Sequence, residues 1–388
     1  MVDLQKKLNE IIEMDKNLPL TAQITDWKKQ GGKIIGWVCN YVPEEIIHAA
    51  GLLPVRVTGL SKEVPYDDAN AYLYTTTCSF VRTCFQMGFD GSYDYLDGFV
   101  LASNCDQARR LYDVWDRYLD TSYKSIISVP HVKSPEAVQF FARELSDFKA
   151  SLEKTFQVTI DAKQLRHSIQ VYNEKRDLLR KVNEFRKLDP PPIKGSEALA
   201  LMNVGNKLSV ERFNEILKEI YAGLKSADKN EETSKPRLMI SGSCMNNINY
   251  LDFIEEQGAT VVAEDMCTGM RYWWDKVPEE SDQDPLLALS ERYLTRFPCA
   301  RMTPGEDRFE IVVDLAKEYG VDGVIQEMIR YCTPTAWERP WLRRRLEEEG
   351  FKVLPLEILY GAEGTGQLKI RVQAFLEMLQ MAKGSDYF

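Results

Sequence analysis

The chain has 388 residues, of which 44% are hydrophobic and 28% charged, and its net charge is −10. This composition is typical of a globular protein with two or three domains, and its acidity argues against a nucleic-acid partner, which would need a basic face. No apolar run reaches about 18 residues, so neither a membrane-spanning helix nor a membrane partner is expected. Residues 1–17 are charged throughout and lack the apolar centre of a signal peptide, so we expect a cytoplasmic protein.

Residues 1–30 are predicted to form one or two helices, because apolar residues recur there at helical spacing. Residues 31–133 show the alternation of strands and helices that indicates a first α/β domain with a mostly parallel sheet. The predicted strands of this domain are Ile34–Val38, Leu53–Val57, Gly98–Ala102 and Ser125–Val129. Between the second and third strands a helix is predicted from Cys78 to Met87, with Gly88 as its end.

Residues 134–234 lack strand signals and show charged helical periodicity, which predicts a helical segment. Residues 235–388 return to alternating strands and helices and form the predicted second α/β domain. The predicted strands of the second domain are Leu238–Ser241, Thr260–Ala263, Val324–Met328 and Val353–Leu356. Between Asp265 and Pro285 the chain is long and irregular, and a loop of that length is usually functional. The predicted fold class is therefore α/β, with two Rossmann-like parallel-sheet domains and a helical segment.

The eight cysteines are the feature that points to function. In a reducing cytoplasm such a set is expected to include metal ligands or catalytic thiols rather than disulfides. Five of them follow predicted strands, namely Cys39, Cys105, Cys244, Cys267 and Cys332. The carboxyl edge of a parallel α/β sheet is where ligands bind, although any one of these thiols, taken alone, is more often a small buried hydrophobe.

The spacing of the cysteines favours an iron–sulfur cluster over zinc. Structural zinc sites use Cys-x-x-Cys pairs, whereas the closest pair here, Cys78 and Cys84, has five residues between its members. The chain has only three histidines, His48, His131 and His167. Thiolates from separate loops suit the soft ligation of an iron–sulfur cluster. The spacings of ferredoxins are absent, so spacing alone leaves the metal open.

Several other groups have both a functional and a structural interpretation. Glu44 and Glu45 favour a helix N-terminus more than they indicate proton delivery, and His48 is expected to be a hydrogen-bonded, partly buried histidine. The stretch from Gly361 to Gly366 is glycine-rich, but it lacks the Lys-Ser/Thr pair of a phosphate-binding loop. The residues that could either serve a metal site or be ordinary surface or core are Arg82, Arg109, Arg110, Trp273 and Trp274.

Several motifs, in the same order along the chain, resemble the 2-hydroxyacyl-CoA dehydratase and benzoyl-CoA reductase family. The motifs lie at residues 36–51, 77–82, 104–106 and 331–332, and in a closing run from 356–357 through 364–368 to 371–372. The first of them reads Gly-Trp-Val-Cys-Asn-Tyr-Val-Pro-Glu-Glu-Ile-Ile-His-Ala-Ala-Gly. The resemblance covers nearly the whole chain. It implies that Cys78, Cys105 and Cys332 hold one iron–sulfur cubane.

Three further cysteines resemble one branch of that family, the double-cubane cluster proteins. These cysteines are Cys39, Cys267 within residues 264–269, and Cys299 within residues 297–299. The resemblance implies an 8Fe-9S cluster, in which two cubanes share a bridging sulfide and these three thiols hold the second cubane. Cys84 is expected to be core. Cys244 remains an alternative to Cys299 as the sixth ligand.

The resemblance implies a reductase that stores low-potential electrons and reduces small molecules. It also implies an ATP-hydrolysing iron–sulfur activator protein as the electron donor, and a homodimer as the assembly. The alternative is a subunit of a 2-hydroxyacyl-CoA dehydratase or benzoyl-CoA reductase, with a single 4Fe-4S cluster and a CoA thioester substrate. A third hypothesis, from another class, is a non-catalytic electron carrier or cluster-storage protein. The sequence names neither the physiological substrate nor the proton donors.

Overall fold

The computed structural model describes residues 3–60, 62–227, 235–279, 283–361 and 366–385. Two four-stranded parallel sheets with flanking helices confirm the predicted α/β class with two Rossmann-like sheets. The strands of the first sheet are β1 (Ile34–Val38), β2 (Leu53–Arg56), β3 (Gly98–Ala102) and β4 (Tyr123–Ile127), and those of the second are β5 (Arg237–Ser241), β6 (Thr260–Asp265), β7 (Gly323–Ile329) and β8 (Lys352–Ile358). The orders are β2-β1-β3-β4 and β6-β5-β7-β8. Each sheet therefore reverses its strand order between its two central strands, which is where such folds bind ligands.

Six helices of the described residues precede the helical segment. They are α1 (Leu4–Lys16), α2 (Ala22–Lys29), α3 (Glu44–Ala49), α4 (Ala69–Tyr72), α5 (Ser79–Phe89) and α6 (Asp106–Tyr118). Of these, α3 and α6 pack directly on strands of the first sheet. Gly88 does not end its helix as predicted, because α5 continues to Phe89. A Cβ atom at Gly88 would lie 2.6 Å from a methyl of Leu119, just after α6. Gly88 therefore serves the close approach of α5 and the end of α6 rather than a helix end.

Strand β4 lies two residues earlier than the predicted Ser125–Val129. Tyr123 pairs with Gly98, and its ring covers the space that a side chain at Gly98 would occupy. The backbone N–H of Ser128 leaves the sheet and donates to Glu144 at 3.0 Å. Tyr123 thus sets the beginning of β4 and Glu144 its end. Neither contact can be seen in the local periodicity of the sequence.

The middle of the chain is helical, as predicted for residues 134–234. Its helices are α7 (Pro135–Phe156), α8 (Ala162–Glu184), a 3-10 turn (Phe185–Lys187), α9 (Gly195–Gly205) and α10 (Val210–Ser226). Ser134 caps α7, and Asp161 forms a capping box with Gln164 at the start of α8. Every residue of α9 is buried. The division of the chain at residues 30, 133 and 234 stays a prediction.

The second sheet has six helices around it. They are α11 (Ile248–Glu256), α12 (Met270–Trp273), α13 (Pro285–Thr295), α14 (Glu306–Glu318), α15 (Thr333–Glu348) and α16 (Gly366–Ser385). Within the described ranges, no helix has the length and apolarity needed to cross a membrane. Residues 362–365 of the glycine-rich stretch and 364–365 of the closing family motif lie outside the described residues.

Tyr360, after β8, joins the two halves of the molecule. Its hydroxyl accepts the N–H of Gly59 at 3.0 Å and donates to Asn246 Oδ1 at 2.5 Å. Its own N–H donates to Ser79 Oγ at 2.8 Å. Since Gly59 and Ser79 belong to the first half and Tyr360 and Asn246 to the second, these buried bonds fix the two sheets against each other.

Glu44 and Glu45 lie in the first turn of α3, as the helix N-terminus interpretation requires, but both are buried and have distant partners. Glu45 accepts bonds from Arg176 of α8 and, at 2.8 Å, from the Tyr293 hydroxyl of α13. Burial raises the pKa of Glu45, but the charges of Arg176 and Arg292 and the hydrogen bonds to the carboxylate together outweigh it, so the net pKa is lowered. Glu44 accepts the Tyr272 hydroxyl at 2.5 Å. The two carboxylates thus anchor α3 to α8, through Arg176, and to the second half of the chain, through Tyr272 and Tyr293.

Glu327 on β7 is a buried carboxyl group without a hydrogen-bond partner among the described residues. Burial raises its pKa to about 8. A carboxyl whose pKa is raised in the folded state stabilises the protein less as pH rises from its unfolded pKa towards its folded pKa. We expect the wild-type protein to lose stability relative to Glu327→Gln as pH rises from about 4.5 to about 8, by about 1.4 kcal/mol per pH unit.

The measurement is the thermal unfolding midpoint of both proteins at pH 6 and pH 8. Glu357→Gln is the matched control, because Glu357 lies on the neighbouring strand β8, is half-exposed and pairs with Arg330 at 2.7 Å. The difference in unfolding midpoint between the wild type and Glu357→Gln should be the same at pH 6 and pH 8. A constant difference between wild type and Glu327→Gln at both pH values would show that Glu327 is already ionised in the folded protein.

Candidate metal centre

Four of the six predicted ligands follow strands at the carboxyl edges of the two sheets. Cys39 comes directly after β1, and Cys105 follows β3. In the second sheet Cys267 follows β6, and Cys332 follows β7. The sequence predicted this placement in two separate sheets, and the structure confirms it.

All six predicted ligands line one cavity, and a seventh thiol joins them. The cysteines in its wall are Cys39, Cys78, Cys105, Cys244, Cys267, Cys299 and Cys332. The volume open to the centre of a water molecule is about 120 Å³, roughly ten times what one water needs. Cys84, the eighth cysteine, lies in the interior of α5 and does not line the cavity, as the core interpretation predicts.

Three of these cysteines occupy the N-cap positions of helices. Cys78 precedes α5, Cys105 precedes α6 and Cys332 precedes α15. The Ala108 N–H donates to the Cys105 sulfur at 3.4 Å, and the Cys332 sulfur lies 3.3 Å from the Thr335 hydroxyl. Free N–H groups at helix starts favour negative charge, so all three positions suit a thiolate or an anionic group.

Cys299 does not cap a helix, unlike Cys78, Cys105 and Cys332. It lies in the loop between α13 and α14, seven residues before Glu306. Its N–H donates to the Tyr41 hydroxyl at 3.4 Å, and its carbonyl accepts the Met302 N–H at 2.9 Å. The Thr303 N–H donates to the His131 carbonyl at 2.7 Å. This bond holds the loop against the first half of the chain, and α14 begins only at Glu306.

The backbone around the cavity is strained at two positions. Cys39 has a φ of +80° and Tyr331, just before Cys332, has a φ of +69°. Residues with a side chain rarely adopt this left-handed conformation, and it is concentrated at functional sites. The Asn40 side chain donates to the Cys267 carbonyl at 2.8 Å and so ties the Cys39 turn to the other sheet.

The cavity thiols are electrostatic neighbours of one another. The two trios that the resemblance implies are among the mutually interacting sets, and so is the set of Cys39, Cys105 and Cys299. Burial raises the pKa of Cys78, and the charges of Cys332 and Cys105 raise it further. Burial raises the pKa of Cys105 to about 12, and Cys332 is among its charged neighbours. Cys78, Cys105 and Cys332 therefore each adjoin the other two. This is the trio that the resemblance implies for the first cubane.

The second trio has the same closed pattern. Burial raises the pKa of Cys39, and the charges of Cys299 and Cys267 add to it. Burial and then the charge of Cys267 raise the pKa of Cys299. The trios also adjoin each other, since Cys105 interacts with Cys299 and Cys332 with Cys267. Burial thus favours the protonated form of Cys39 and Cys299, whereas a bound metal deprotonates its thiol ligands.

The seven sulfur atoms surround the cavity instead of converging on a point. Among the residues that the structure describes, no three Cys, His, Asp or Glu side chains are placed to hold a single metal ion. All eight cysteines are free thiols. The arrangement can therefore enclose a group of several atoms with ligands on different sides.

Among the residues that the structure describes, four arginines line the cavity and no carboxylate does. Arg56 donates to the Cys267 carbonyl at 3.0 Å and stacks over the Trp37 ring at 4.9 Å. Arg271 pairs with Asp265 at 3.0 Å. The other two guanidinium groups belong to Arg296 and Arg301. Such a wall favours an anionic occupant.

The arginines that the sequence singled out do not line this cavity. Arg82 is buried, but it donates to Asn70 at 3.1 Å and stacks over Tyr66. Arg109 and Arg110 are exposed on α6. Three of the arginines that do line the cavity could have been found from the sequence. Arg271, Arg296 and Arg301 lie within four residues of Cys267 or Cys299.

The remaining candidates are structural. Trp273 is buried in the core and Trp274 packs against Phe297, and neither lines the cavity. His48 is partly buried and hydrogen-bonded to Ser168 at 2.6 Å and to Glu211 at 2.7 Å, as predicted.

Comparison with known proteins shows a family match over nearly the whole chain. Residues 39–379 match the family model described as 2-hydroxyglutaryl-CoA dehydratase, D-component. A benzoyl-CoA reductase subunit of Thauera aromatica is 28% identical, with 92% of this chain and 94% of the relative covered. The lactoyl-CoA dehydratase subunit beta of Anaerotignum propionicum is 27% identical, with 91% and 94% covered. The (R)-2-hydroxyglutaryl-CoA dehydratase subunit beta of Acidaminococcus fermentans is 26% identical, with 92% and 95% covered. The chain belongs to the 2-hydroxyglutaryl-CoA dehydratase D-component family, and these three relatives are subunits of two dehydratases and a reductase.

Proposed function

We propose that this protein is an iron–sulfur oxidoreductase whose cavity holds an 8Fe-9S double cubane. The observation that carries the proposal is that all six predicted ligands, from both sheets, line one cavity together with four arginines. Cys78, Cys105 and Cys332 would hold one cubane, and Cys39, Cys267 and Cys299 the other. Six soft thiolates from separate loops are ligands that iron–sulfur clusters take.

The chemistry of the cavity wall fits such a group. A cluster with six thiolates is anionic, and the wall supplies four guanidinium groups without a carboxylate. Two buried side-chain oxygens in the wall, Asn40 Oδ1 and Asn104 Oδ1, lack a hydrogen-bond partner among the described residues. An amide oxygen is a hydrogen-bond acceptor and cluster sulfurs only accept, so the partner of these atoms would be a donor beside the cluster, such as a water or a substrate hydroxyl.

The protein residues have three tasks in this proposal. Arg56, Arg271 and Arg296 would offset the charge of the thiolates from fixed positions, because each is hydrogen-bonded to backbone carbonyls. The apolar wall, with Val38, Phe80, Val81, Ala108 and Ile329, would limit the access of water. When bound, the cluster would supply more than one low-potential electron for the reduction of a small molecule. Charge, burial and hydrogen bonds to sulfur together set the potential of such a centre.

The relatives support a second candidate, a subunit of a CoA-thioester dehydratase or reductase with a single 4Fe-4S cluster. The names of the compared relatives are those of lactoyl-CoA and 2-hydroxyglutaryl-CoA dehydratases and a benzoyl-CoA reductase. The first trio alone would serve such a cluster. The second trio favours the double cubane, because Cys39, Cys267 and Cys299 would otherwise have no ligand role. The third candidate, a non-catalytic electron carrier, would hold electrons without passing them to a substrate.

The proposed partners are an ATP-hydrolysing iron–sulfur activator and a second copy of this chain in a homodimer. We expect the purified protein alone to hydrolyse no ATP, since its glycine-rich stretch lacks the Lys-Ser/Thr of a phosphate-binding loop. With activator, ATP and reductant, its visible absorption should bleach, and a small-molecule substrate should restore the colour in repeated cycles. Phosphate release by the protein alone would contradict the need for an activator. Bleaching that no added small molecule reverses would favour the electron carrier.

A further inference from the structure

We propose that Cys244 is a non-ligating thiol that faces the junction of the two trios and donates a hydrogen bond to sulfur there. This inference depends on the proposed double cubane. Cys244 would be a positioning residue, and its task would be to set the reduction potential of the centre. It goes beyond the ligand assignment, which leaves the seventh thiol of the cavity without a role.

The position of Cys244 is what distinguishes it from the other thiols. It is 8% exposed and lines the same cavity. Its charged neighbours are Cys267 of the second trio, and Cys78 and Cys332 of the first. Cys267 and Cys332 also interact with each other across the two trios. Cys244 therefore adjoins both trios, and the six-ligand count of the proposed double cubane leaves it as the seventh thiol of the cavity.

The backbone around Cys244 is held from both sides, so its placement is built into the fold. The Ser243 carbonyl accepts the Cys267 N–H at 2.7 Å, and the Met245 N–H donates to the Thr268 hydroxyl at 3.0 Å. Arg271 donates to the carbonyls of Gly242 and Ser243. These bonds fix the loop after β5 to the loop after β6, on which Cys267 lies.

The two sheets also place Cys244 where the first sheet places Cys39. Cys39 follows β1 and Cys244 lies three residues after β5, and these are the equivalent strands in the orders β2-β1-β3-β4 and β6-β5-β7-β8. The second half supplies Cys267, Cys299 and Cys332 as its three proposed ligands, so Cys244 is not needed as one. A thiol left over at this edge keeps its S–H, which is a weak hydrogen-bond donor. Hydrogen bonds to cluster sulfurs tune the potentials of iron–sulfur centres.

The test compares Cys244→Ala, Cys244→Ser and Cys84→Ala as anaerobically purified, cluster-loaded proteins. Cys84 is the matched control, because it is a buried thiol that does not line the cavity. We expect all three variants to keep the iron of the wild type. At a fixed solution potential, Cys244→Ala should show a reduced-to-oxidised ratio about tenfold lower than the wild type, about 59 mV for a one-electron couple.

The direction follows because a lost donor destabilises the more negatively charged reduced state. Cys244→Ser should recover most of the wild-type ratio, since a hydroxyl also donates, and Cys84→Ala should match the wild type. Loss of iron in Cys244→Ala would make Cys244 a ligand and overturn the inference. An unchanged potential in Cys244→Ala would show that Cys244 is only a buried packing residue, and this result would also overturn the inference. A wild-type content of about four iron atoms would instead refute the double cubane itself, which separates the two failures.

Discussion

Replacing Cys78, Cys105 or Cys332 by alanine is expected to remove at least half of the bound iron. Each of these cysteines caps a helix, and each adjoins the other two in the cavity wall. Alanine at one of them leaves an iron without its thiolate, and a cluster that lacks a ligand is labile. Because the trios adjoin, the loss of one cubane can expose the other, so complete loss agrees with the assignment as well as half loss.

The measurement is iron per chain and the visible spectrum of each variant after purification without oxygen. Cys84→Ala is the control, since it removes an equally buried thiol outside the cavity and should keep all of the iron. If all three cavity variants kept full iron and an unchanged spectrum, the first trio would not be a ligand set.

Replacing Cys39, Cys267 or Cys299 by alanine is expected to lower the iron content from about eight to about four atoms per chain. These three thiols form the second closed trio, and the first trio would still hold one cubane. If they are only buried thiols, iron should stay constant and stability should fall by about 1–2 kcal/mol. Iron content and the unfolding midpoint, measured on the same samples, separate these outcomes.

The carboxyl-edge placement of the thiols could be predicted because it follows from local patterns. Short apolar runs such as Ile34–Val38 and Gly98–Ala102 favour buried parallel strands, and the structure has both with these bounds. A thiol after such a strand must lie at the sheet edge. Sequence order alone therefore placed Cys39 and Cys105 on one edge and Cys332 on the other.

Arg56 in the cavity wall and the buried ion pairs behind it could not be predicted in this way, because their partners are far apart in sequence. Glu45 and Arg176 are 131 residues apart, and no local pattern connects them. Arg56 reaches the Cys267 carbonyl across 211 residues. The loop of Cys299 is shaped by its contact with His131 in the other half. These features depend on how the two sheets face each other, which the periodicity of either half does not contain.

The most direct test of the double cubane is the amount of iron and acid-labile sulfide per chain in protein purified without oxygen, measured together with the spectrum of the reduced state. Our account predicts about eight iron and about nine sulfide atoms per chain, held by six of the seven cavity thiols. About four of each per chain, with all seven cavity cysteines intact, would contradict it and leave the single-cubane subunit as the better description.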